Sequence, residues 1–467
     1  MSEAKNILTD AMDHYGIDGK KQLIDIIRRL DKMSNGMINN PIRDINMAYK
    51  SGGDVGKILN PGDLYRKMFG ECFTPAKLIN DMLDKLPAEV WKRKDYKWLD
   101  NSVGGGNFPM EVLKRLMDSL KDQIPNDEDR KRHIIEKMLY FVDMQAKNVW
   151  LTERRLGCGV KYNFNGVVAN SLEFDYWGGM KFDVIVGNPP YKKGIDLRFL
   201  NLMIDTLGAK HIVIVHPATY LIDLKGNKRY VEVKKKLEGK LRSATLFNGN
   251  TTFDIGLFVP CVVINYDRDY NGKCAVEYFD QKFEADIWNI TKFGKEWFDI
   301  VKPFMDKMEK VCAGNDVWSH NKESIDDTKV HCQFAAIMGH VAQSNSKNNL
   351  MFKDDFYSLT MKTDMNANKG IRMADLDRPG NAMPTFSFDT ENERDNFLNY
   401  CNTFFARFCL SLYKNGQNTS LGEMSLIPWL DFTQPWDDAK LFKHFNIDQK
   451  TQDYIYNFLP DYYGIRK

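Results

Sequence analysis

An apolar run that ends in Asn-Pro-Pro-Tyr carries the most informative chemistry of this 467-residue chain. Residues 184–187 read Val-Ile-Val-Gly, a composition typical of a buried β-strand. Pro189 and Pro190 follow, and because neither has an N–H to give to a sheet, the strand must end before them. The pattern predicts that Asn188 lies at the carboxyl end of the strand, where open α/β sheets bind ligands.

The groups of this tetrapeptide suit an aromatic amine. The side-chain oxygen of Asn188 and the main-chain carbonyl of Pro189 can accept both hydrogens of an exocyclic amine. The ring of Tyr191 can stack on an extruded base. By itself the tetrapeptide fits a strand with a proline-rich turn about equally well, so other segments must decide between the two interpretations.

A glycine-rich turn forms a second candidate site. Residues 98–100, Trp-Leu-Asp, read as a strand end, and Gly104 and Gly106 follow before a helical segment. Glycines in such a turn let the backbone approach a ligand closely. A further strand, predicted at 138–142, ends in Asp143, where an acidic residue can bind a pair of ribose hydroxyls.

Together these segments resemble the amino-group DNA methyltransferases of the gamma arrangement, in particular the adenine methylases of restriction–modification systems. The resemblance rests on Asn-Pro-Pro-Tyr and on the pattern Asp-x-x-x-Gly-x-Gly-x-Phe at 100–108, and it spans roughly 70–267. It implies a Rossmann-like α/β sheet with helices on both faces that binds S-adenosylmethionine. The implied reaction moves a methyl group to the exocyclic amine of a flipped adenine in double-stranded DNA. Its catalytic residues would be Asn188, Pro189, Pro190 and Tyr191.

The resemblance also implies a cofactor site. As local structure, Phe73-Thr74-Pro75 predicts a helix start with Thr74 as its cap and Pro75 at the first helical position. In the resembled family such a segment covers the methionine end of the cofactor. Asn170 takes the position where an aspartate commonly holds the cofactor's adenine, and Asn101 and Val103 depart from the commoner glycine loop. The expected cofactor-binding residues are Phe73, Thr74, Pro75, Asp100, Gly104, Gly106, Phe108, Asp143, Asn170, Ser171 and Asn188.

The contacts to DNA are expected downstream. The resemblance places an aromatic ring on the second face of the flipped base, and Phe253 fits best, with Phe258 second and a core role equally good for either. A basic run at 225–242 is predicted to contact phosphates, although a solvated helix face is the commoner origin of such runs. The predicted phosphate contacts are Lys225, Lys228, Arg229, Lys234 and Lys235.

Composition and segment patterns predict three parts. Hydrophobic content of 43%, charged content of 27% and a net charge of +2 are ordinary for a soluble globular protein. The expected parts are a helical accessory segment at 1–60, the catalytic domain at 61–267 and a mixed α+β target-recognition lobe at 268–467. The expected partner is double-stranded DNA, with the protein a monomer or weak dimer, and the sequence leaves open whether a separate cognate endonuclease accompanies it.

Several functions are not favoured by the sequence. No membrane-spanning run or signal peptide is found, so a cytoplasmic location in a bacterial or phage context is expected. The eight cysteines lack paired spacing, so no disulfide framework and no metal site is expected. Cys261 and His216 are interpreted as structural residues. RNA adenine methylation, protein glutamine methylation and a non-catalytic DNA-binding role remain as alternatives.

Overall fold

The chain folds into two compact units. The computed structural model describes residues 74–157, 160, 162–191, 194–253, 260–314, 330–334, 361–363, 385–414 and 421–459. The described part of the first unit runs from Thr74 to Pro217 and includes 235–253 and 261–276. The second contains 218–234, Pro260 and the described residues from Glu277 onward. The helical segment expected at 1–60 lies outside the described residues.

The first unit is built on an α/β sheet. Its strands are β1 (Trp98–Asp100), β2 (Leu139–Asp143), β3 (Asn165–Val168), β4 (Val184–Gly187), β5 (His211–Pro217), β6 (Leu241–Asn248), β7 (Pro260–Asp267) and β8 (Cys274–Tyr278). They lie in the order β3-β2-β1-β4-β5-β7-β6-β8, and the division between the units falls within β8. Strands β1 to β5 pair in parallel, while β7 runs antiparallel to β5. The expected Rossmann-like sheet is confirmed.

Burial explains the apolar strands at the centre of this sheet. Every residue of β4 and of β5 is buried, as the continuous runs Val-Ile-Val-Gly and His-Ile-Val-Ile-Val-His-Pro predict for strands covered on both faces. The strand order reverses between β1 and β4, since β2 and β3 lie on one side of β1 while β4 and β5 lie on the other. Ligands of doubly wound sheets bind at the carboxyl ends of the strands at this reversal.

Helices connect the strands of the first unit. They are α1 (Ala76–Leu83), α2 (Asn107–Ser119), α3 (Asp127–His133), α4 (Ala146–Gly157), α5 (Tyr176–Gly179) and α6 (Ile195–Asn201). Single turns of 3₁₀ or π helix lie at Ala88–Lys92, Ile134–Met138 and Leu202–Thr206. The apolar face predicted for α1 is confirmed, because Ile79, Met82 and Leu83 are buried. None of the helices that the structure describes is long and apolar enough to span a membrane.

The second unit combines helices and strands, and its bounds differ from the predicted 268–467, because 218–234 belong to it and 268–276 belong to the first unit. Two helices precede its continuous part: α8 (Lys228–Leu237) begins in this unit and ends in the first, and α9 (Gly249–Phe253) belongs to the first unit. The other described elements of the second unit are α7 (Thr219–Ile222), β9 (Gln281–Ala285), α10 (Lys302–Val311), β10 (Val330–Phe334), β11 (Met361–Thr363), β12 (Thr385–Phe388), α11 (Glu391–Asn402), α12 (Phe404–Tyr413), α13 (Leu421–Met424), α14 (Asp438–His444) and α15 (Gln449–Phe458). Single turns lie at Ile287–Asn289 and Trp297–Val301. Strands β11, β10 and β12 form a small antiparallel sheet.

Aromatic side chains dominate the core of this lobe. Helix α12 buries nearly all its residues, and the ring of Phe405 stacks on that of Phe445 with centroids 5.0 Å apart. The Thr403 hydroxyl caps this helix by accepting from the N–H of Ala406 at 3.2 Å. Offset and edge-on ring pairs each add about 0.5–1.5 kcal/mol to the burial of apolar area. The lobe therefore has a core of its own.

A glycine on β3 tests the packing between neighbouring strands. A Cβ at Gly166 would lie 2.8 Å from Cζ of the buried Phe141 on β2. We expect Gly166→Ala to lower the free energy of unfolding by about 1–3 kcal/mol, because a packed core resists added volume. Urea unfolding measures the change. In the double variant with Phe141→Leu the loss should be smaller than the sum of the single losses, and strict additivity would contradict this packing.

Candidate functional site

The glycine turn and the Asn-Pro-Pro-Tyr segment meet at one edge of the sheet. Leu99 on β1 is in register with Ile185 on β4, so the segments that follow these parallel strands emerge side by side. A Cβ placed on Gly187 would lie 3.0 Å from Oδ1 of Asp100. Glycine at this position therefore allows the strand that carries Asn188 to lie against the carboxylate. The site predicted from two distant motifs forms one edge.

The turn between β1 and α2 depends on glycine. Gly104 and Gly106 have φ angles of 51° and 78°, in the left-handed region that L side chains rarely adopt. A Cβ on Gly106 would also lie 2.6 Å from Oγ1 of Thr152 on α4. Arg155 on the same helix donates to the carbonyl of Gly105, and its Nη1 donates to Oδ1 of Asn107 at 2.8 Å. Helix α4 thus supports the turn from behind.

Asp143 ties this turn to the loop that follows β2. Its Oδ2 accepts from the N–H of Gly104 at 2.9 Å, and its Oδ1 accepts from the N–H of Gln145 at 2.8 Å. Hydrogen bonds from main-chain amides to a carboxylate fix the position of both loops. The carboxylate lies at the tip of β2, as predicted, and its binding of a ribose remains a prediction.

Asp100 is a buried carboxyl group with an open hydrogen-bonding position. The residue is 2% exposed, and burial raises its pKa to about 8, with the charge of Asp143 adding to the effect and the N–H of Ser102 opposing it. Its Oδ1 accepts from that N–H at 3.1 Å. Among the described residues, neither Oδ2 of Asp100 nor Oγ of Ser102 has a hydrogen-bond partner. Since buried polar atoms are nearly always bonded, this pair fits a polar or cationic group of a ligand.

The third strand places two further predicted residues near this turn. Oγ of Ser171 donates to the carbonyl of Asn101 at 2.6 Å, so the segment after β3 is attached to the segment after β1. Oδ1 of Asn170 accepts from the N–H of Leu172 at 3.2 Å, which forms a local turn. The amide of Asn170 is thereby oriented by its own backbone. Contact with the adenine of a cofactor remains a prediction for both residues.

Asn188 is held between two hydroxyl groups. Its Nδ2 donates to Oγ1 of Thr74 at 3.1 Å, and its Oδ1 accepts from the Tyr191 hydroxyl at 2.6 Å. The same hydroxyl lies 3.4 Å from the carbonyl oxygen of Val215 on β5. The expected capping role of Thr74 is wrong, because Pro75 takes the N-cap position of α1 and no side chain caps the helix. The threonine hydroxyl accepts from the amide of Asn188 instead.

The aromatic residues predicted for the site lie in packed surroundings. Phe108 on α2 is 4% exposed, so it contributes to the core beneath the glycine turn. Phe253 is buried, with its ring centroid 6.3 Å from that of Phe247. This is the core position that the sequence left open as an alternative, and its stacking on a base remains a prediction. Phe73 and Phe258 lie outside the described residues.

The five basic residues predicted to contact phosphates differ in burial. Lys228, Arg229 and Lys235 are exposed. Nζ of Lys225 lies 2.9 Å from the carboxylate of Glu423, an ion pair within the second unit. The prediction that Lys234 contacts a DNA phosphate is wrong, because this residue is only 4% exposed and a buried ammonium group cannot reach a phosphate.

Lys234 has a structural environment of its own. Burial lowers the pKa of its ammonium group to about 8, with the charge of Asp223 opposing the shift. Its Nζ donates to the carbonyl of Asp223 at 3.3 Å and lies 5.7 Å from the ring centroid of Trp288. A cation over an aromatic face is stabilised without solvent. The lysine therefore anchors α8 within its own unit.

Sequence reasoning missed three residues of this site. The supporting role of Arg155 has no signal in the spacing, because its partners lie about fifty positions earlier in the chain. Ser102 was detectable, since it is a polar residue between Asp100 and the first glycine of the turn. The Val215 carbonyl is a backbone group that no side-chain pattern marks. His216 and Cys261, interpreted as structural, are both fully buried.

Comparisons with known proteins agree with this geometry. Residues 63–209 match the model of the N-6 DNA methylase family. An uncharacterised adenine-specific methylase of Mycoplasma pneumoniae is 24% identical over 310 residues, which cover 48% of this chain and 71% of that protein. The matched segment contains β1 to β4 and the glycine turn, so the similarity to adenine methylases lies in the part of the sheet that carries the candidate site. The resemblance to adenine methylases of restriction–modification systems is confirmed for this segment.

Two solved subunits of type I restriction enzymes are distantly similar to this chain. A modification subunit of a type I restriction enzyme of Vibrio vulnificus is 16% identical, with a TM-score of 0.34, over 46% of this chain and 49% of that structure. The M protein of the type I enzyme EcoKI is 14% identical, with a TM-score of 0.37, over 84% and 73%. The chain thus spans about half the length of the first of these. Because these TM-scores are low, the fold is assigned from the strand order of the first unit and not from the solved structures.

The buried Asp100 predicts a pH dependence of stability. Its folded pKa of about 8 lies above the ordinary value of 3.8, so the folded state keeps a proton that the unfolded state has released. This carboxyl therefore costs the wild type stability as pH rises from about 4 to 8, by at most about 1.4 kcal/mol per pH unit. Asp100→Asn lacks the titrating proton. We expect its stability advantage to widen over this range and to become constant above pH 8.

Thermal unfolding of the two proteins between pH 5 and pH 9, without ligand, measures this difference. Parallel stability curves for the two proteins across the whole range would contradict the buried, proton-retaining carboxyl group.

Proposed function

We propose that the protein is a site-specific DNA adenine methyltransferase that uses S-adenosylmethionine. The base would be an adenine flipped out of double-stranded DNA, and its exocyclic amine would receive the methyl group. One observation carries the proposal: Asn188 lies at the carboxyl end of β4, directly beside the buried Asp100 and the glycine turn after β1. An acceptor for an amine and a polar ligand site are thereby neighbours.

The residues around Asp100 fit the cofactor. When bound, S-adenosylmethionine supplies an electrophilic methyl group on a positively charged sulfur. Oδ2 of Asp100 and Oγ of Ser102 would take polar or cationic groups of this molecule, because they are buried and lack partners among the described residues. The backbone of Gly104 and Gly106 permits close approach, and Asp143 would bind the ribose. Asn170 and Ser171 would lie toward its adenine ring.

The tetrapeptide would act on the amine of the substrate. The lone pair of an adenine amine is delocalised into the ring, so the nitrogen is a weak nucleophile. Acceptance of its two hydrogens by Oδ1 of Asn188 and the carbonyl of Pro189 favours a pyramidal nitrogen and stabilises the positive charge that develops on it. The ring of Tyr191 would stack on the extruded base and offset the few kcal/mol that flipping costs. This is positioning and charge stabilisation rather than base catalysis.

DNA binding would involve both described units. Lys228, Arg229 and Lys235 are exposed and suit phosphate contacts, which fix position without reading sequence. The C-terminal lobe would read the bases, a role that we infer from its separate core and from the size of the chain beyond the sheet. A separate endonuclease would be the natural partner if the protein belongs to a restriction–modification system. The adenine-specific methylase of Mycoplasma pneumoniae supports the choice of adenine.

Substitution of the amide tests the proposed reaction. Asn188→Ala should lower methyl transfer by about 10²–10³-fold, the usual effect of removing one group that stabilises a transition state. Single-molecule sequencing of DNA from cells that express each protein detects the modified base and its sequence context together. We expect N6-methyladenine in one sequence context with the wild type and none with the variant.

Two controls make this result interpretable. Asn163→Ala removes an exposed asparagine of the same unit and should leave the methylation pattern unchanged. Circular dichroism and binding of S-adenosylmethionine should show that Asn188→Ala remains folded. Full methylation by Asn188→Ala would exclude the proposed mechanism. Modified RNA or protein glutamine, with unmodified DNA, would assign the chemistry to another substrate.

A further inference from the structure

Asn188 presents two chemically different ends, and only one of them can accept an amine hydrogen. In an asparagine amide the oxygen accepts and the nitrogen donates, and a half-turn about the last side-chain bond exchanges them. The reaction proposed above requires the oxygen to face the adenine. The orientation of this amide is therefore a determinant of activity that the presence of Asn188 alone does not fix.

Two hydroxyl groups of different character hold the amide. The Tyr191 hydroxyl donates to Oδ1 at 2.6 Å, while Oγ1 of Thr74 accepts from Nδ2 at 3.1 Å. A phenol is the more acidic donor and the poorer acceptor, since its oxygen lone pair is delocalised into the ring. An aliphatic hydroxyl such as that of threonine is the better acceptor. The observed arrangement gives each hydroxyl the role it performs better, and the opposite orientation would reverse both roles.

We propose that Thr74 is a positioning residue, which fixes the Asn188 amide with its oxygen on the side of Tyr191, where the base stacks. The inference rests on the proposed methyl transfer to a stacked adenine. Thr74 is 5% exposed, so water competes little with the Asn188 amide for the threonine hydroxyl. Thr74 is also separated from Asn188 by 114 positions, which links the start of α1 to the catalytic strand. Its contribution to the reaction is made through Asn188.

The Tyr191 hydroxyl completes the arrangement. It has one hydrogen, and both Oδ1 of Asn188 and the Val215 carbonyl oxygen at 3.4 Å lie within its reach. Rotation of the hydroxyl hydrogen toward Val215 releases a lone pair of Oδ1 without movement of the ring. The incoming amine can then take this lone pair while the amide stays tied to Thr74. The threonine bond keeps the orientation when the tyrosine bond is exchanged.

Replacement of the threonine hydroxyl tests the inference. Thr74→Val preserves the shape of the side chain and removes the acceptor, so kcat for DNA methylation should fall by about tenfold, the equivalent of one hydrogen bond. This kcat is taken at saturating S-adenosylmethionine, so that it does not depend on the predicted cofactor contact of Thr74, and calorimetry measures the Kd of the same variants separately. Thr74→Ser keeps the hydroxyl and should recover most of the lost kcat. An unchanged kcat, or a large loss of cofactor affinity with kcat preserved at saturation, would overturn the inference.

A stability measurement separates this inference from the proposed function. Thr74→Val and Asn188→Ala should each lower the unfolding midpoint in urea, and the double variant should lower it by less than the sum. This coupling requires no catalysis. Additive losses would overturn the Thr74–Asn188 link even if the wild type methylates DNA. Absence of methylation by the wild type, with coupling intact, would reject the proposed function and leave the positioning bond in place.

Discussion

The parallel pairing of β1 with β4 is the constraint on which the site depends. Hydrogen-bonded strands lie about 4.8 Å apart, so groups that follow two such strands at the same end are neighbours whatever their separation in sequence. Asp100 and Asn188 become neighbours in this way. The pairing also requires a residue without a side chain before Asn188, because a Cβ on Gly187 would lie 3.0 Å from the carboxylate. The pairing of β1 with β4 therefore brings the glycine turn and the Asn-Pro-Pro-Tyr segment to the same edge of the sheet.

The site retains polar groups where the fold alone would favour apolar ones. Asp100 is buried with a raised pKa and an oxygen that the described residues leave unbonded, which is unfavourable for the ligand-free protein. Asn188 is fixed by the hydroxyl of Thr74, from a distant segment, and by that of Tyr191, three residues further along the chain, so it can meet a substrate without first losing rotational freedom. The buried Asp100 thus lowers stability at this edge of the sheet, while the two hydroxyls fix the amide of Asn188. Both features suit a preorganised binding edge.

The sequence predicted local elements well and long-range side-chain contacts poorly. The strand before Asn188 was correct to the residue, because proline and an apolar run limit both of its ends. The strand-end aspartates were also placed correctly. Thr74 was assigned to a helix cap, since sequence reasoning considers neighbours along the chain and its true partner is 114 positions away. Lys234 resembled its exposed neighbours in charge, and only the packing of α8 within its lobe revealed that it is buried.

Mass spectrometry of nucleosides after incubation with a deuterated methyl donor tests the central claim most directly. Double-stranded DNA would be treated with the full-length protein and S-adenosylmethionine labelled at its methyl group, then digested completely. The arrangement of Asn188 beside Asp100 predicts labelled N6-methyldeoxyadenosine, formed about 10²–10³-fold more slowly when Asn188→Ala replaces the wild type. Label on cytosine alone, or unlabelled DNA despite measurable binding of the donor, would contradict the assignment of this edge to adenine methylation.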